Sequence, residues 1–297
     1  MLFINIILPV FLIILSGYML ERKFGLDFRT LTNTSLYLFS PALVFSALMK
    51  QEIRLALALD LLLFMILYTL LLLAIAVAIG RLLRLPADSR AALSLSTVCM
   101  NVGNFGLPLS WFAFGDAGLE VSVLTFVIFN IPLSTLAIVL AQGAGAPLGE
   151  AVRNALRIPI FHALLLALLF KALAVVPPAF LLRPVELLGQ AAIPLMLVLL
   201  GMQLARTRLV ALPGFLALST GMRLLLAPAV AWLLTLLLGI EGMTRAVLIL
   251  QTSTPAAVLP LLYALRFGTR PDLVAGAIFV TTLLSAATLT VLLYFLQ

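Results

Sequence analysis

The chain has 297 residues, of which 64% are hydrophobic and only 10% are charged. A soluble domain carries roughly 25% charged residues, so the composition excludes a soluble protein and indicates an integral membrane protein. The net charge of +7 could suggest nucleic-acid binding, but the 18 lysines and arginines occur singly or in pairs. That distribution is typical of positively charged loops on one face of a membrane, and no nucleic-acid partner is expected.

Ten apolar segments are long enough to cross a bilayer as helices, which takes about 20 residues each. We number them spans 1 to 10 in chain order, and they lie at about 3–20, 31–49, 55–79, 91–114, 120–141, 157–176, 185–204, 213–238, 245–265 and 272–296. Turn signals such as RLPADS at 84–89 separate most of them. Span 1 lacks a basic leading region and a small-residue cleavage site, so we expect a retained helix rather than a signal peptide.

The basic residues of the connections are unevenly divided between the two sides of the membrane. If the N-terminus is outside, the outer connections hold five of them: Lys50, Arg54, Lys171, Arg183 and Arg245. The inner connections then hold twelve: Arg22, Lys23, Arg29, Arg81, Arg84, Arg90, Arg153, Arg157, Arg206, Arg208, Arg266 and Arg270. Because lysine and arginine accumulate in cytoplasmic loops, both termini are expected to lie outside.

Four short patterns recur in the same order in the two halves of the chain. They surround Pro9 and Pro159, Pro41 and Pro194, Ser89 and Thr244, and Pro108 and Pro260. The offset stays between 150 and 155 residues, which predicts a duplicated five-helix unit with repeats at 1–148 and 149–297. Because five is odd, the second copy enters the membrane from the opposite side. Such inverted repeats are common in secondary transporters.

Span 4 and its repeat partner, span 9, both contain residues that disfavour a helix. The first carries NVGNFGLP at 101–108 and the second QTSTPAAVLP at 251–260. Each break alone is equally compatible with a simple kink, but two breaks at repeat-related positions predict two broken helices that cross near mid-membrane. The freed backbone groups must face protein or a wet cavity, because each unsatisfied group costs several kcal/mol in lipid.

Each break exposes the N-terminus of a half-helix, whose free N–H groups and partial positive charge favour anions. Thr254 is predicted as the N-cap of the second half of span 9 and Pro255 as its first helical residue. Gly103 and Gly106 would let a ligand approach the backbone. The predicted substrate-binding residues come from both breaks and from span 8: Asn101, Gly103, Asn104, Gly106, Pro108, Gln251, Thr252, Ser253, Thr254, Pro255 and Arg223.

Other polar residues allow weaker interpretations. Arg223 lies deep in span 8 without a clear acidic partner, and it is expected either to bind a substrate carboxylate or to hold carbonyls of a broken helix. His162, near a helix end, is interpreted as a packing residue rather than a proton relay. Four residues are expected either to support the polar cluster or only to bond neighbouring helices: Asn5, Asn130, Thr281 and Thr282. No catalytic residue, metal ligand or cofactor is predicted.

At NVGNFGLPL, with the ten-span inverted plan around it, the chain resembles the auxin efflux carrier family, which includes plant PIN carriers and bacterial permeases for malate and malonate. The resemblance covers essentially the whole chain and is most specific at 100–109. It implies a fold like that of bile-acid transporters and Na–H antiporters, with a scaffold domain of helices 1, 2, 6 and 7 and a transport domain of helices 3–5 and 8–10. The long cytosolic loop of many plant members is absent, which indicates a compact bacterial form in the inner membrane.

The resemblance further implies elevator-like carriage of a small organic anion at the crossover of spans 4 and 9, where Asn101 takes the place of the family's crossover asparagine. The leading prediction is a secondary active transporter or facilitator of a small carboxylate in the lipid bilayer. H⁺ or Na⁺ is the candidate coupling ion, and a homodimer through the scaffold domain is the candidate assembly.

Three alternatives compete with this prediction. A sodium-coupled symporter like the bile-acid transporters is the nearest, although the crossover has no carboxylate for sodium. An ion channel is less favoured, because no span carries a continuous polar stripe. An enzyme is not predicted, because the zinc-hydrolase and serine-nucleophile motifs are missing, and ATP does not drive transport directly, because a Walker A motif is also missing.

Overall fold

The computed structural model describes residues 2–50, 55–142, 149, 153, 156–207 and 212–296. Every regular element in these ranges is a helix, and seven of the helices are long and apolar enough to cross a membrane. The prediction of an all-α membrane protein is therefore confirmed. Most of the connection 142–157, together with Arg54 and Arg208 from the count of basic residues, lies outside the described residues.

The helices occupy the segments that hydropathy indicates. They are α1 (Phe3–Phe24), α2 (Phe28–Lys50), α3 (Leu55–Leu82), α4a (Ala87–Val98), α6 (Pro159–Ala172), α7 (Ala179–Arg206), α8 (Pro213–Leu237), α9a (Gly242–Thr252), α9b (Leu259–Phe267) and α10 (Pro271–Leu296). The helix Val102–Gln142 contains a non-helical residue, Gly115, with φ of 64° and ψ of −152°. This residue divides it into α4b (102–114) and α5 (116–142).

Local signals fix the turn between α1 and α2. α1 ends at Gly25, whose φ of 55° lies in the left-handed region that favours glycine. α2 begins after Asp27, whose carboxylate accepts hydrogen bonds from the backbone N–H groups of Arg29 and Thr30 at 3.1 and 3.2 Å. The Thr30 hydroxyl and these N–H groups stabilise the ionised carboxylate and lower the pKa of Asp27.

The helices α1, α2, α6 and α7 form one packed group. A Cβ atom at Gly201 of α7 would overlap the carbonyl oxygen of Ile14 in α1, and a Cβ atom at Gly17 of α1 would overlap the backbone of α7. A Cβ atom at Gly189 would come within 2.9 Å of the Cα atom of Leu43 in α2. Small residues allow such close backbone approach between membrane helices. α6 packs against α2 and completes the group.

The other helices pack around the two pairs of half-helices. α3 packs on α4a, α9a and α9b pack on the helix that contains α4b and α5, and α8 packs on α9a and α10. The two groups meet where α7 contacts the first turn of α4b and where α2 contacts the helix that contains α4b and α5. A shared apolar core runs through this junction and includes Leu48, Phe129 and Ile193.

The close packing of α1 and α7 can be tested with one methyl group. Gly201→Ala is expected to destabilise the protein by about 1–3 kcal/mol, because the methyl overlaps the α1 backbone, which is not a flexible side chain. The readout is Tm in detergent. Gly221→Ala in α8 is the matched control, since a Cβ there meets nothing within 4 Å, and alanine is the better helix former. A Tm for Gly201→Ala equal to that of the wild type would contradict the packing.

Candidate functional site

The breaks in the fourth and ninth helices lie side by side and pair through their backbones. The N–H of Asn101 donates to the carbonyl of Pro255 at 2.9 Å. The N–H of Ala257 donates to the carbonyl of Cys99 at 2.8 Å, and together the two bonds form a short antiparallel bridge. Backbone groups released by one helix are therefore satisfied by the other, as the membrane interior requires.

The first break is shorter than the sequence suggests. The non-helical residues are 99–101, and NVGNFGLP is almost entirely helical, opening with a wide turn over Val102–Gly106. The N–H of Gly106 donates to the carbonyl of Asn101 at 2.9 Å and closes that turn. The prediction that this motif itself interrupts the helix was wrong, because asparagine and glycine cost only about 1 kcal/mol or less within a helix. The break includes only the first residue of the motif, Asn101, and Pro108 lies buried in the body of α4b.

The start predicted for the second half of the ninth helix was also wrong. α9b begins at Leu259, and its N-cap is Val258 rather than Thr254. The hydroxyl of Thr254 donates to the carbonyl of Gln251 at 2.7 Å, so it completes the end of α9a instead of accepting bonds at the start of α9b. Pro255 lies in the connection, where its carbonyl takes part in the backbone bridge.

Arg223 binds the C-terminal ends of both broken helices. Its Nη1 donates to the carbonyl of Thr97 at 2.6 Å, and its Nη2 donates to the carbonyl of Thr252. The hydroxyl of Tyr68 also donates to the Thr252 carbonyl, at 3.1 Å. This geometry matches the interpretation in which Arg223 holds carbonyls of a broken helix, and a contact with substrate stays a prediction.

Gln251 joins α9a to α4b and α5. Its side chain is fully buried, and its Nε2 donates to the hydroxyls of Ser122 and, at 3.4 Å, Ser110. A Cβ atom at position 106 would overlap the Gln251 side-chain oxygen. Gly106 is therefore required by the packing of the glutamine amide, whereas the sequence suggested close approach of a ligand.

Three atoms of the sequence-predicted site residues are buried and have no partner among the described residues. They are Nδ2 of Asn101, Nε of Arg223 and Oε1 of Gln251. The Asn101 amide stands at the N-terminus of α4b, where the first N–H groups of the helix also lack intrahelical partners. Gly103 and Asn104 are half-buried on the same turn. The structure thus leaves a side-chain donor, Nδ2 of Asn101, without a partner among the described residues at the N-terminal end of α4b.

The remaining hydroxyls of the second break bond within their own helix. The Ser253 hydroxyl donates to the carbonyl of Ile249 at 2.6 Å, and the Thr252 hydroxyl donates to that of Leu248 at 2.6 Å. Both side chains are buried. Their donor hydrogens are thus already used by α9a.

The four supporting residues named from the sequence have different environments. Thr281 supports the crossover, because its hydroxyl accepts from the N–H of Ala256 at 3.2 Å. Asn130 and Thr282 donate to carbonyls of their own helices, and Asn5 is exposed. His162 is also exposed, at the start of α6, so its interpretation as a packing residue was wrong.

Sequence reasoning missed Tyr68, Ser110 and Ser122. All three are fully buried and hold Arg223 or Gln251. Tyr68 could have been found, because a tyrosine hydroxyl in the middle of an apolar span needs a partner. The two serines carry no comparable signal, since serine commonly bonds within its own membrane helix.

A cavity of about 640 Å³ lies between the two groups of helices. It is lined by residues of α1, α2, α4b, α5 and α7, among them Ile13, Lys50, Trp111, Asp116, Glu120, Glu186, Ile193 and Pro194. Lys50 pairs with Glu186 at 3.2 Å, and Asp116 accepts from the indole of Trp111 at 3.1 Å. The cavity lining is not predominantly basic, so a preference for an anion would have to come from the crossover.

The sequence matches the model of a membrane transport protein family over residues 2–293. The chain belongs to this family. The family is that of the auxin efflux carriers and malonate permeases, so the resemblance seen at NVGNFGLPL is confirmed. The protein is accordingly a multi-pass membrane transporter and not an enzyme.

Relatives of this membrane transport protein span nearly its whole length. It is 27% identical over 287 residues to an uncharacterized transporter of Methanothermobacter thermautotrophicus, covering 95% of each chain. It is 24% identical over 294 residues to an uncharacterized transporter of Methanocaldococcus jannaschii, covering 95% of this chain and 94% of the other. It is 28% identical over 306 residues to a Rhizobium meliloti protein named "Putative malonate transporter", covering 99% and 95%.

The contact between Gly106 and Gln251 gives a test of the crossover of this transporter. Gly106→Ala is expected to destabilise the protein by about 1–3 kcal/mol, because the added methyl overlaps the Gln251 amide. In a Gln251→Ala background the same substitution should cost little, because the amide is gone. A double-mutant cycle on the free energy of unfolding measures the coupling. Equal losses in the two backgrounds would show that the glycine does not accommodate Gln251.

Proposed function

We propose that this transporter is a secondary carrier of a small organic anion, with a short dicarboxylate such as malonate as the first candidate. The observation that carries the proposal is the Asn101 amide, which is buried at the N-terminus of α4b and whose Nδ2 has no partner in the part of the chain that the structure describes. The name of the Rhizobium meliloti relative supports the substrate class. The substrate carboxylate would accept from Asn101 and from N–H groups of the first turn of α4b.

The electrostatics of the crossover favour an anion. The N-terminus of a helix carries about half a positive elementary charge, and its N–H groups point at the ligand. The site residues in the described part of both breaks are neutral amides, hydroxyls, glycines and prolines. A carboxylate bound there would gain hydrogen bonds to donors without meeting a negative side chain of either break.

We further propose the ten-span inverted repeat with units 1–148 and 149–297. Related prolines stand at related places: Pro9 and Pro159 lie in the first turns of their α-helical segments. The half-helices α4b and α9b both end at a glycine of positive φ, Gly115 and Gly268, 153 positions apart. This spacing matches the offset of the sequence repeat and supports two copies of one unit.

The same packing supports an elevator-type movement of one domain along another. The scaffold domain would be α1, α2, α6 and α7, which the glycines hold together. The transport domain would be α3–α5 and α8–α10, which carry the whole crossover. The cavity lies between these groups, where a sliding boundary would open a route to the anion site. Saturable uptake with counterflow would distinguish this carrier from a channel.

Substitution of Asn101 tests the anion site. Asn101→Ala is expected to weaken malonate binding about ten- to a hundredfold, because a hydrogen bond to a charged group contributes about 1.5–3 kcal/mol. Asn101→Asp should weaken it further at a pH where the new carboxyl is ionised, because a negative charge then faces the substrate. Equilibrium binding of malonate to purified protein measures both effects.

Asn130→Ala is the matched control, because the buried Asn130 amide donates to the Phe126 carbonyl of its own helix. It should bind malonate as the wild type does. Wild-type affinity in Asn101→Asp, with the carboxyl ionised, would rule out the crossover as the anion site. If malonate does not bind wild type, a thermal-shift screen of organic acids identifies the substrate class, because a ligand of the folded state raises Tm.

We propose a bacterial inner-membrane location with both termini outside, on the basis of the twelve-to-five division of basic residues. Tags at either terminus should then react with a membrane-impermeant reagent in spheroplasts, without permeabilisation. A tag placed in the connection 142–157 should react only after permeabilisation, because that connection is predicted to be cytoplasmic. Protection of either terminal tag would reverse the proposed orientation.

A further inference from the structure

Arg223 is a fully buried cation, and its hydrogen-bond partners among the described residues are two backbone carbonyls and a tyrosine hydroxyl rather than a carboxylate. The ion pairs found within the described ranges all involve other residues. An uncompensated charge in a membrane interior is strongly unfavourable. The groups around the guanidinium must therefore supply the compensation.

Those groups are the ends of two half-helices. The Thr97 carbonyl, which accepts a hydrogen bond from Nη1 at 2.6 Å, lies in the last turn of α4a. The Thr252 carbonyl, which accepts from Nη2, belongs to the last residue of α9a. A helix C-terminus carries about half a negative elementary charge. Two such ends together match the single positive charge of one guanidinium. The planar fork of arginine donates in several directions at once, which a lysine ammonium on a single stem does less well.

The position is one where a soluble cation could bind in another carrier. In transporters with broken helices, unwound carbonyls and half-helix C-termini coordinate the coupling Na⁺. Here the guanidinium donates a hydrogen bond to one carbonyl at each of the two ends.

Building on the transport function proposed above, we propose that Arg223 is a positioning residue that acts as a resident cation of the crossover. It holds the C-termini of α4a and α9a together and thereby sets the relative position of the two breaks, whose backbone bridge carries Asn101. The crossover then keeps its shape without a soluble cation. Removal of the guanidinium should create a requirement for one.

The experiment compares wild type, Arg223→Met and Tyr68→Phe in three chloride salts of equal ionic strength: sodium, guanidinium below its denaturing range, and the bulky N-methylglucamine. Tm without substrate and malonate affinity are both measured. Wild type should show the same Tm in sodium and N-methylglucamine, and its affinity should agree within twofold. Arg223→Met should have a lower Tm and about tenfold or more weaker binding in N-methylglucamine. Guanidinium or sodium should restore part of both losses in this variant alone.

Tyr68→Phe is the matched control, because it removes a neutral donor to the same Thr252 carbonyl and leaves the guanidinium in place. Its Tm should fall slightly and should not respond to the cation. If Arg223→Met yields no folded protein, Arg223→Lys replaces it. Lysine keeps the charge but not the fork, so this variant should have a lower Tm that sodium does not raise.

Three results would overturn the proposal: a sodium requirement for wild-type Tm or binding, an Arg223→Met protein as stable as wild type, or one that no cation restores. For Arg223→Lys, a Tm equal to that of wild type or raised by sodium would have the same meaning. The Tm series contains no substrate and therefore stands apart from the transport function. Failure of wild type to bind any organic acid would contradict the proposed function and leave the result on Arg223 intact.

Discussion

A helix that breaks inside a bilayer must have its freed backbone groups paired by protein, and the rest of this structure depends on that constraint. The two breaks satisfy this constraint together, because two hydrogen bonds join residues 99–101 to residues 255–257. The neighbouring side chains then complete the arrangement. Arg223 and Tyr68 bind the carbonyl ends, and Gln251 fills the space beside Gly106.

The crossover is chemically asymmetric as a result. The negative ends of the half-helices are closed by a guanidinium and by hydroxyl groups, so they offer little to a ligand. At the positive end of α4b, Nδ2 of Asn101 has no partner among the described residues. Preference for an anion can therefore arise without a basic side chain in direct contact with it.

The sequence predicts the helices of this protein well, because hydropathy over 20 residues reports the bilayer itself. It also locates the two polar breaks, because clusters of asparagine, glycine and hydroxyl residues are conspicuous in an apolar chain. The details of the breaks depend on long-range partners. α4a ends at Val98, and the residues after it pair with Pro255 and Ala257, more than 150 residues away. Thr254 meets the local criteria for an N-cap, yet its hydroxyl donates to the carbonyl of Gln251, in the preceding helix α9a.

For Arg223, too, the sequence predicts the burial, whereas the contacts depend on distant parts of the chain. A lone arginine in an apolar span predicts a buried contact but not which groups receive it. Its partners come from α3, α4a and α9a, and each is a backbone carbonyl or a tyrosine hydroxyl. A carbonyl exists at every residue, so the sequence contains nothing that distinguishes those of Thr97 and Thr252. The assignment of the substrate-binding residues stays a prediction.

The shortness of the half-helices has a consequence for biogenesis. α4a and α9a have 12 and 11 residues, so each extends only about 16–18 Å and falls well short of the hydrocarbon thickness. The bridge joins positions that leave the ribosome far apart in time. The first half of the chain therefore cannot pair all the backbone groups of its own break while it is being inserted, and the crossover must form late, after the second break has been synthesised. Until then the N–H of Asn101 and the carbonyl of Cys99 depend on water or on the insertion machinery.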